Sequence, residues 1–355
     1  QKLFDGMATY SGVRSAKALT KASEHTLTAT TQNVILGAVT AYMNVLRSRE
    51  LVRLNQGNER AIQEQMNLED ERVQRGAGVS IDVLEAKKRL QLARERSVAF
   101  DGALRNSIAT YTQVFGHAPT VSEVVAAPAD MVPTEKEQAI ADVRAANPVI
   151  RIAEAQAQSA AQERRRLYGG YFPTVDLVGS ANVENNIGAV KGPRQDYAIK
   201  VELTWALFDG LGTTSSTAEA AARHQQAQEV GRDVSRRAVE LLETSWHDRE
   251  VAGERAKLLE NAMSIAAEVY QGRQEQREAG KETALNVLDA ENELYNACIN
   301  YVNAYYDAQI ASYQVLNALG RLDQKAIAAT GPVDKRVTVE GRCGFSASDG
   351  GYRTN

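Results

Sequence analysis

The sequence predicts a mainly helical protein of the mixed α and β class, built as a duplicated unit of a strand hairpin and a long helix-turn-helix. Three observations predict this class. Short motifs recur at a constant spacing, long segments without proline carry apolar residues three and four positions apart, and one segment alternates apolar and polar residues. The first indicates a repeat, the second indicates helices, and the third indicates strands.

The duplication is carried by three motifs, each of which returns 204 positions later in the residue numbering. Leu3–Gly6 returns as Leu207–Gly210, Asp82–Ala86 returns as Asn286–Ala290, and Phe115-Gly116 returns as Leu319-Gly320. Aligning Gly78 with Gly280 gives a spacing of 202 instead, which predicts a two-residue insertion or deletion at the turn between the helices.

The second copy contains a hairpin that begins near Tyr171, upstream of its long helix. The same spacing places the counterpart of this hairpin before Gln1. We therefore expect that the chain begins inside its first copy and lacks the first strand of that copy.

The hairpin is predicted from alternation with a period of two residues. From Tyr197 to Phe208 the odd positions are mainly apolar, and the run from Thr174 to Glu184 repeats the pattern less strictly. Residues 188–195 contain glycine and proline and predict the loop between the two strands. Strands of roughly 10–12 residues suit a tilted barrel strand, but a hairpin of a soluble β-sandwich is the alternative.

Four long segments predict helices, at about residues 11–74, 81–115, 213–278 and 283–319. At a rise of 1.5 Å per residue the first would span roughly 95 Å. Helices of this length cannot bury themselves in a globule, and their apolar stripes indicate coiled-coil packing. A coiled-coil scaffold of the cytosol or periplasm is the alternative, although it leaves the hairpin between the copies without a role.

These patterns divide the chain into five segments. They are a first repeat at 1–116, a connector with short helices at 117–168, a hairpin at 169–209, the helix pair of the second repeat at 210–320, and an irregular tail at 321–355.

Composition and motifs argue against an enzyme, a metal site and a nucleic-acid binder. The formal net charge of −4 is small for 355 residues, and no run of about 18 apolar residues predicts a membrane-spanning helix. The four histidines lack metal-ligand spacing, and neither a nucleophile motif nor a phosphate-binding glycine loop is present. We predict no catalytic residue, cofactor or metal ligand, and interpret the Asp-Gly pairs at 5–6 and 209–210 as turns.

The order of these motifs resembles the TolC family of outer-membrane efflux and type I secretion channels. The resemblance covers roughly residues 1–320. It rests on Tyr171–Val175, Trp205–Gly210, Gly280, Asn286–Ala290 and Leu294–Ala297, together with their duplication.

The resemblance implies a homotrimer in the bacterial outer membrane. Each protomer would give four strands to a twelve-stranded β-barrel, and its helices would continue the barrel across the periplasm as a hollow α-helical barrel. The partners implied are outer-membrane lipid, a periplasmic adaptor protein and an inner-membrane transporter, and the duct itself would perform no chemistry.

The resemblance also implies functional residues at the periplasmic tip. Gly78 and Gly280 would form turns that face the adaptor. Asp82 and Arg277 would form a lock that holds the tip closed. Glu282, Asn286 and Asp289 would line the pore constriction, although a solvated helix face is the alternative for these three, since Glu293 continues the same spacing.

Overall fold

The computed structural model describes residues 1–76, 78–120, 131–185 and 191–328 as a mainly helical chain with one small sheet. The first half contains β1 (Lys2–Phe4), α1 (Ala8–Gln74), α2 (Ser80–Phe115), α3 (Lys136–Ala146) and α4 (Pro148–Tyr168). After a short 3-10 helix at Gly169–Tyr171 come β2 (Thr174–Asn185), β3 (Pro193–Thr204), α5 (Gly212–Glu278), α6 (Ala284–Ala318) and α7 (Gln324–Ala328).

The elements repeat along the chain at the spacing of the sequence motifs. Both α1 and α5 contain 67 residues, and α5 begins and ends 204 positions after α1. The residues with positive φ recur at the same spacing, at Gly6 and Gly210, Met7 and Leu211, and Gly116 and Gly320. The helices therefore lie close to where periodicity placed them.

Two expectations about element ends are corrected. The second strand runs from Pro193 to Thr204, so it begins within the predicted loop 188–195 and ends before Phe208, where its pairing with β2 stops. The tail is not wholly irregular, because residues 324–328 form α7, which buries Ala326. Part of the predicted connector (121–130) and most of the predicted tail (329–355) lie outside the described residues.

The chain divides into two compact units, each made of separate stretches of sequence. The first contains residues 1–30 and 142–240, and the second contains residues 31–141 and 241–355. Both α1 and α5 contribute residues to each unit. None of the helices in the described part of the chain combines the length and the apolar character that a membrane span requires.

The sheet of the first unit is antiparallel, with the strand order β1-β2-β3. The pairing of β2 with β3 is continuous from Thr174↔Thr204 to Asn185↔Pro193. This register places the odd-numbered residues of both strands on one face, since side chains alternate along a strand. That face is apolar and exposed, with Ile199 84% and Val201 65% accessible.

Helix α4 packs in the first unit through one stripe of its surface. Asn147 caps its N-terminus by accepting a hydrogen bond from the Val149 N–H at 2.9 Å, and Pro148 occupies the first turn, where its missing N–H costs nothing. The buried stripe includes Ile150 and Ser159. The Ser159 hydroxyl lies 2.9 Å from the hydroxyl of Ser15 on α1.

The core of the second unit is centred on α6. Its largest fully buried side chains include Tyr295 and Tyr313. The Tyr295 hydroxyl donates to the side-chain oxygen of Asn55 at 2.7 Å, and the Asn55 amide donates to the Ala93 carbonyl at 3.2 Å. These bonds satisfy buried polar atoms and join α6, α1 and α2 in one register.

Each long helix begins at a tight turn that follows a strand or an extended segment. In both copies a glycine and the next residue have positive φ, at Gly6 (62°) and Met7 (67°), and at Gly210 (65°) and Leu211 (69°). The preceding Asp209 accepts hydrogen bonds from the backbone and hydroxyl of Thr213, at 2.6 and 2.5 Å. The hydrogen bond from the Thr213 side chain holds the pKa of Asp209 below its usual range. The carboxylate therefore satisfies N–H groups that the helix start leaves open.

The two turns differ in how closely they are packed, which gives a matched test. A Cβ at Gly6 would lie 2.5 Å from the Gly169 carbonyl oxygen, whereas a Cβ at Gly210 meets nothing within 4 Å. We expect Gly210→Ala to lower the free energy of unfolding by about 1 kcal/mol, from backbone strain alone. We expect Gly6→Ala to lower the free energy of unfolding by at least about twice as much, since the backbone at Gly169 must also move away from the new Cβ. Denaturant unfolding of the purified protein measures both, and equal losses would contradict the close packing of Gly6.

Candidate functional site

The candidate site is the end of the second unit where α1 turns into α2 and α5 turns into α6. At the second turn, Gly280 has a φ of 72°, and its N–H donates to the Arg277 carbonyl at 2.9 Å. At the first turn, the residue in this conformation is Gly76, with a φ of 77° and a 2.9 Å bond to the Val73 carbonyl. Both turns close a helix with a left-handed residue, as glycine allows.

This geometry corrects the prediction for Gly78. Gly76, not Gly78, is the structural counterpart of Gly280, so the spacing of 204 passes through the turn without an insertion. Gly78 is required for a different reason. A Cβ there would lie 2.8 Å from the Val73 backbone nitrogen, too close for any side chain. The sequence alignment chose the wrong glycine of the first turn, because Gly76 and Gly78 are only two positions apart. Only the backbone angles distinguish them.

Glu282 and Asn286 are brought together by the start of α6. Thr283 caps this helix by accepting from the Asn286 N–H at 3.3 Å. The Glu282 carboxylate accepts from the Asn286 side-chain amide at 2.5 Å and from the Thr283 N–H at 2.8 Å. The Asn286 hydrogen bond, followed by the Thr283 backbone and the charge of Arg273, holds the pKa of Glu282 below its usual range. Glu282 thus remains charged while part of its charge is satisfied locally.

Asp289, the third predicted constriction residue, forms an ion pair across helices. Its carboxylate lies 2.6 Å from the guanidinium of Arg89 on α2. Arg89 is 17% exposed and Asp289 is 53% exposed, so the acid stands at the surface and the base lies beneath it. Sequence spacing identified the acid but did not identify this partner, 200 positions away.

Arg277 is also paired, but not with the predicted Asp82. Its guanidinium donates to the carboxylate of Glu69 on α1. The side chains of Glu69 and Arg277 are 4% and 13% exposed, and Glu69 also accepts from Gln65 at 3.1 Å. Asp82 lies in the first turn of α2, where an acidic residue is favoured. Within this chain Arg277 is thus paired with Glu69, and the structure does not bring Asp82 and Arg277 together.

Besides Glu69, a second buried acid of this region was missed by sequence reasoning. Glu291 is 6% exposed. Burial raises its pKa to about 7, with the charge of Glu64 acting in the same direction and that of Arg89 opposing. It lines a cleft of about 240 Å³ together with Arg89, Asp289 and Arg96. No signal in the sequence separates Glu291 from the exposed Glu293, because the two differ only in which side of α6 faces the core.

Comparison with known proteins gives a consistent family. The sequence model described as "Outer membrane efflux protein" matches residues 1–117 and 139–321. Over 325 residues the chain is 30% identical to the outer membrane efflux protein BepC of Brucella suis biovar 1, covering 91% of this chain and 71% of that protein.

A second curated relative and a solved structure extend the comparison. The outer membrane protein TolC of Escherichia coli is 24% identical over 320 residues, covering 84% of this chain and 63% of that protein. The chain therefore spans somewhat less than two thirds of the length of that relative. A crystal structure of a membrane protein from Pseudomonas aeruginosa has a TM-score of 0.80 at 18% identity, covering 90% of this chain and 75% of that one. This likeness shows a shared fold.

Proposed function

The chain belongs to the outer membrane efflux protein family, and we propose that three copies of it close one passive export duct. The protein is a protomer of a bacterial outer-membrane channel for efflux or type I secretion. A coiled-coil scaffold outside the membrane is not favoured, because both the family and the exposed apolar sheet face argue for a membrane channel. Each protomer would contribute its strands to a shared β-barrel and its helices to an α-helical barrel that continues it.

The open sheet is the observation that carries the trimer. Within the described residues this three-stranded sheet is open at its two outer strands, β1 and β3, and one of its faces is apolar and exposed. In lipid, unpaired backbone groups cost several kcal/mol each, so a sheet of this kind must be closed by other chains. The odd-numbered face then meets lipid, and the even-numbered face, which carries Lys200 and Glu202 paired at 3.3 Å, lines the water-filled side.

The trimer is tested by cross-linking the intact channel in native outer membranes, where we expect the trimer as the largest major product. Val201→Lys, on the apolar face, should strongly reduce the trimer, since a lysine near the bilayer midplane costs about 2–4 kcal/mol. Ser180→Lys, on the opposite face, is the matched control and should assemble normally. Monomers and dimers alone in the unmutated protein would reject the trimer, and equal effects of the two variants would reject the proposed orientation of the sheet.

The resemblance to the family extends the proposal to partners. A periplasmic adaptor would contact the turns at Gly76–Gly78 and Gly280, and an inner-membrane transporter would supply the cargo and the energy. The chain itself would act by opening and closing, without chemistry.

We further propose that the start of α6, with Glu282 just before the helix cap and Asn286 and Asp289 on the helix, forms a face that lines the narrow end of the pore. Two carboxylates per protomer on this face give a threefold ring of negative charge. The ring is weakened in two ways. An amide stands at position 286, and Arg89 lies against Asp289.

The constriction is tested by reversal potentials of the channel in planar bilayers. We expect Asp289→Asn to lower cation selectivity at low salt, and Arg89→Gln to raise it, because it removes the cation that offsets Asp289. Both effects should fade near 1 M salt, where the Debye length falls to about 3 Å. Glu254→Gln, which removes an exposed acid of α5 far along the chain from this face, is the control. If neither Asp289→Asn nor Arg89→Gln changes the reversal potential, this face is a solvated surface outside the pore.

The lock at the tip is proposed in revised form, as the pair of Glu69 and Arg277. A buried ion pair of this kind differs from an exposed one in the free energy lost when one partner is removed. Removing one partner of a buried pair typically costs about 3–5 kcal/mol, against about 0.2–1 kcal/mol for an exposed pair. This pair joins the last turns of the two long helices, and separating those helices would break it.

Single-channel conductance distinguishes the two versions of the lock. We expect Arg277→Ala and Glu69→Gln each to increase conductance or open probability, because each leaves the pair incomplete. Asp82→Ala should leave both unchanged. An increase with Asp82→Ala and none with Glu69→Gln would restore the originally expected pair of Asp82 and Arg277.

A further inference from the structure

An aromatic cluster marks the point where the first unit passes from helix to sheet. The ring of Tyr168, at the end of α4, lies 5.2 Å from that of Tyr171 and 6.1 Å from that of Phe172. The indole of Trp205, directly after β3, donates to the Tyr171 carbonyl at 3.2 Å. The four side chains are between 40% and 55% exposed.

This cluster continues the apolar face of the sheet. Trp205 follows Leu203 by two positions at the end of β3, and Leu203 is 64% exposed on the odd-numbered face. Aromatic rings with one polar end favour the boundary between hydrocarbon and headgroups. If the odd-numbered face meets lipid, the cluster lies at the boundary on the helical side of the sheet.

Three consecutive arginines lie one helical turn from this cluster. Arg164 and Arg165 precede Tyr168 by four and three positions, so they share its side of α4. Both are exposed, and neither forms an ion pair within the described residues. Arg166 differs from them, because Glu163 accepts from it through both carboxylate oxygens, at 2.6 and 2.8 Å. The guanidinium groups of Arg164 and Arg165 are therefore available to bind an anion, whereas that of Arg166 is neutralised by Glu163.

We propose that Arg164, Arg165 and the aromatic cluster form a binding site for anionic phospholipid in the periplasmic leaflet of the membrane. One turn of helix is about 5.4 Å, which sets the two guanidinium groups at the depth of the phosphates while the rings lie at the edge of the hydrocarbon. A guanidinium binds phosphate oxygens in pairs. A zwitterionic headgroup also carries an ammonium group, which the two arginines repel, so phosphatidylglycerol is favoured over phosphatidylcholine.

This inference rests on the proposed membrane orientation of the sheet, and the site contains its own reporter. The chain has two tryptophans, and Trp246 is 6% exposed. In the intact channel with Trp246→Phe, emission comes from Trp205 alone. Brominated phosphatidylglycerol and brominated phosphatidylcholine are the probes, and the ratio of quenching by the two measures headgroup preference beside Trp205.

We expect phosphatidylglycerol to be preferred by about threefold or more, and the preference to disappear in Arg164→Gln/Arg165→Gln. Glu163→Gln should increase the preference, because it releases Arg166. The charge-matched control, Arg105→Gln/Arg255→Gln, removes two exposed arginines of the second unit and should leave the ratio unchanged. Soluble glycerol phosphate should not compete, since the rings bind only a lipid.

The outcomes separate this inference from the proposed function. Quenching by both lipids with an unchanged ratio in Arg164→Gln/Arg165→Gln overturns the lipid site and leaves the membrane orientation standing. An equal loss in the control pair also overturns it, because the preference then reflects total charge. No quenching of Trp205 by either lipid overturns both proposals. If the double variant fails to assemble, the Glu163→Gln result decides alone.

Discussion

The joint between the sheet and the long helices is the contact on which the rest of the structure depends. At each joint two successive residues adopt left-handed backbone angles, and an aspartate carboxylate accepts a hydrogen bond from one N–H in the first turn of the helix. The first joint is also pressed against the Gly169 carbonyl, so a side chain at Gly6 has no room. Because the joint fixes the direction in which α1 leaves the sheet, the position of α4 and its aromatic cluster follows from it.

In the second unit, charged and polar side chains are paired within the chain. Arg277 is committed to Glu69, Arg89 to Asp289, and Glu282 to the amide of Asn286. The first two contacts join different helices, whereas the third is local to the start of α6. In the proposed channel, a closed state held by a few pairs of this kind would be stable at rest, yet within reach of the binding energy of a partner protein.

A passive channel requires surfaces of suitable polarity rather than catalytic groups. One face of the sheet is apolar and the other is polar, and at the turns of the second unit a half-buried base, Arg89, partly offsets the exposed Asp289. Glu291 stands apart, since burial gives it a pKa of about 7 in a cleft shared with Arg89. Such a group holds a proton near neutral pH more readily than an exposed glutamate.

The sequence by itself determined the helices, the hairpin, the spacing of the two copies and the family resemblance, because periodicity and turn residues are local properties of the chain. It also placed Asn286 and Asp289 on one helix face, since three- and four-residue spacing needs no tertiary information, whereas Glu282 precedes the cap of that helix and reaches Asn286 from outside it. The tertiary structure alone decided that Gly76 is the left-handed residue, that Arg277 pairs with Glu69, and that Glu291 is buried. The physical reason is that Arg277 and Glu69, the two partners of this ion pair, lie 208 positions apart along the chain. Which of several acids meets a given arginine depends on how the helices pack, and periodicity does not specify that.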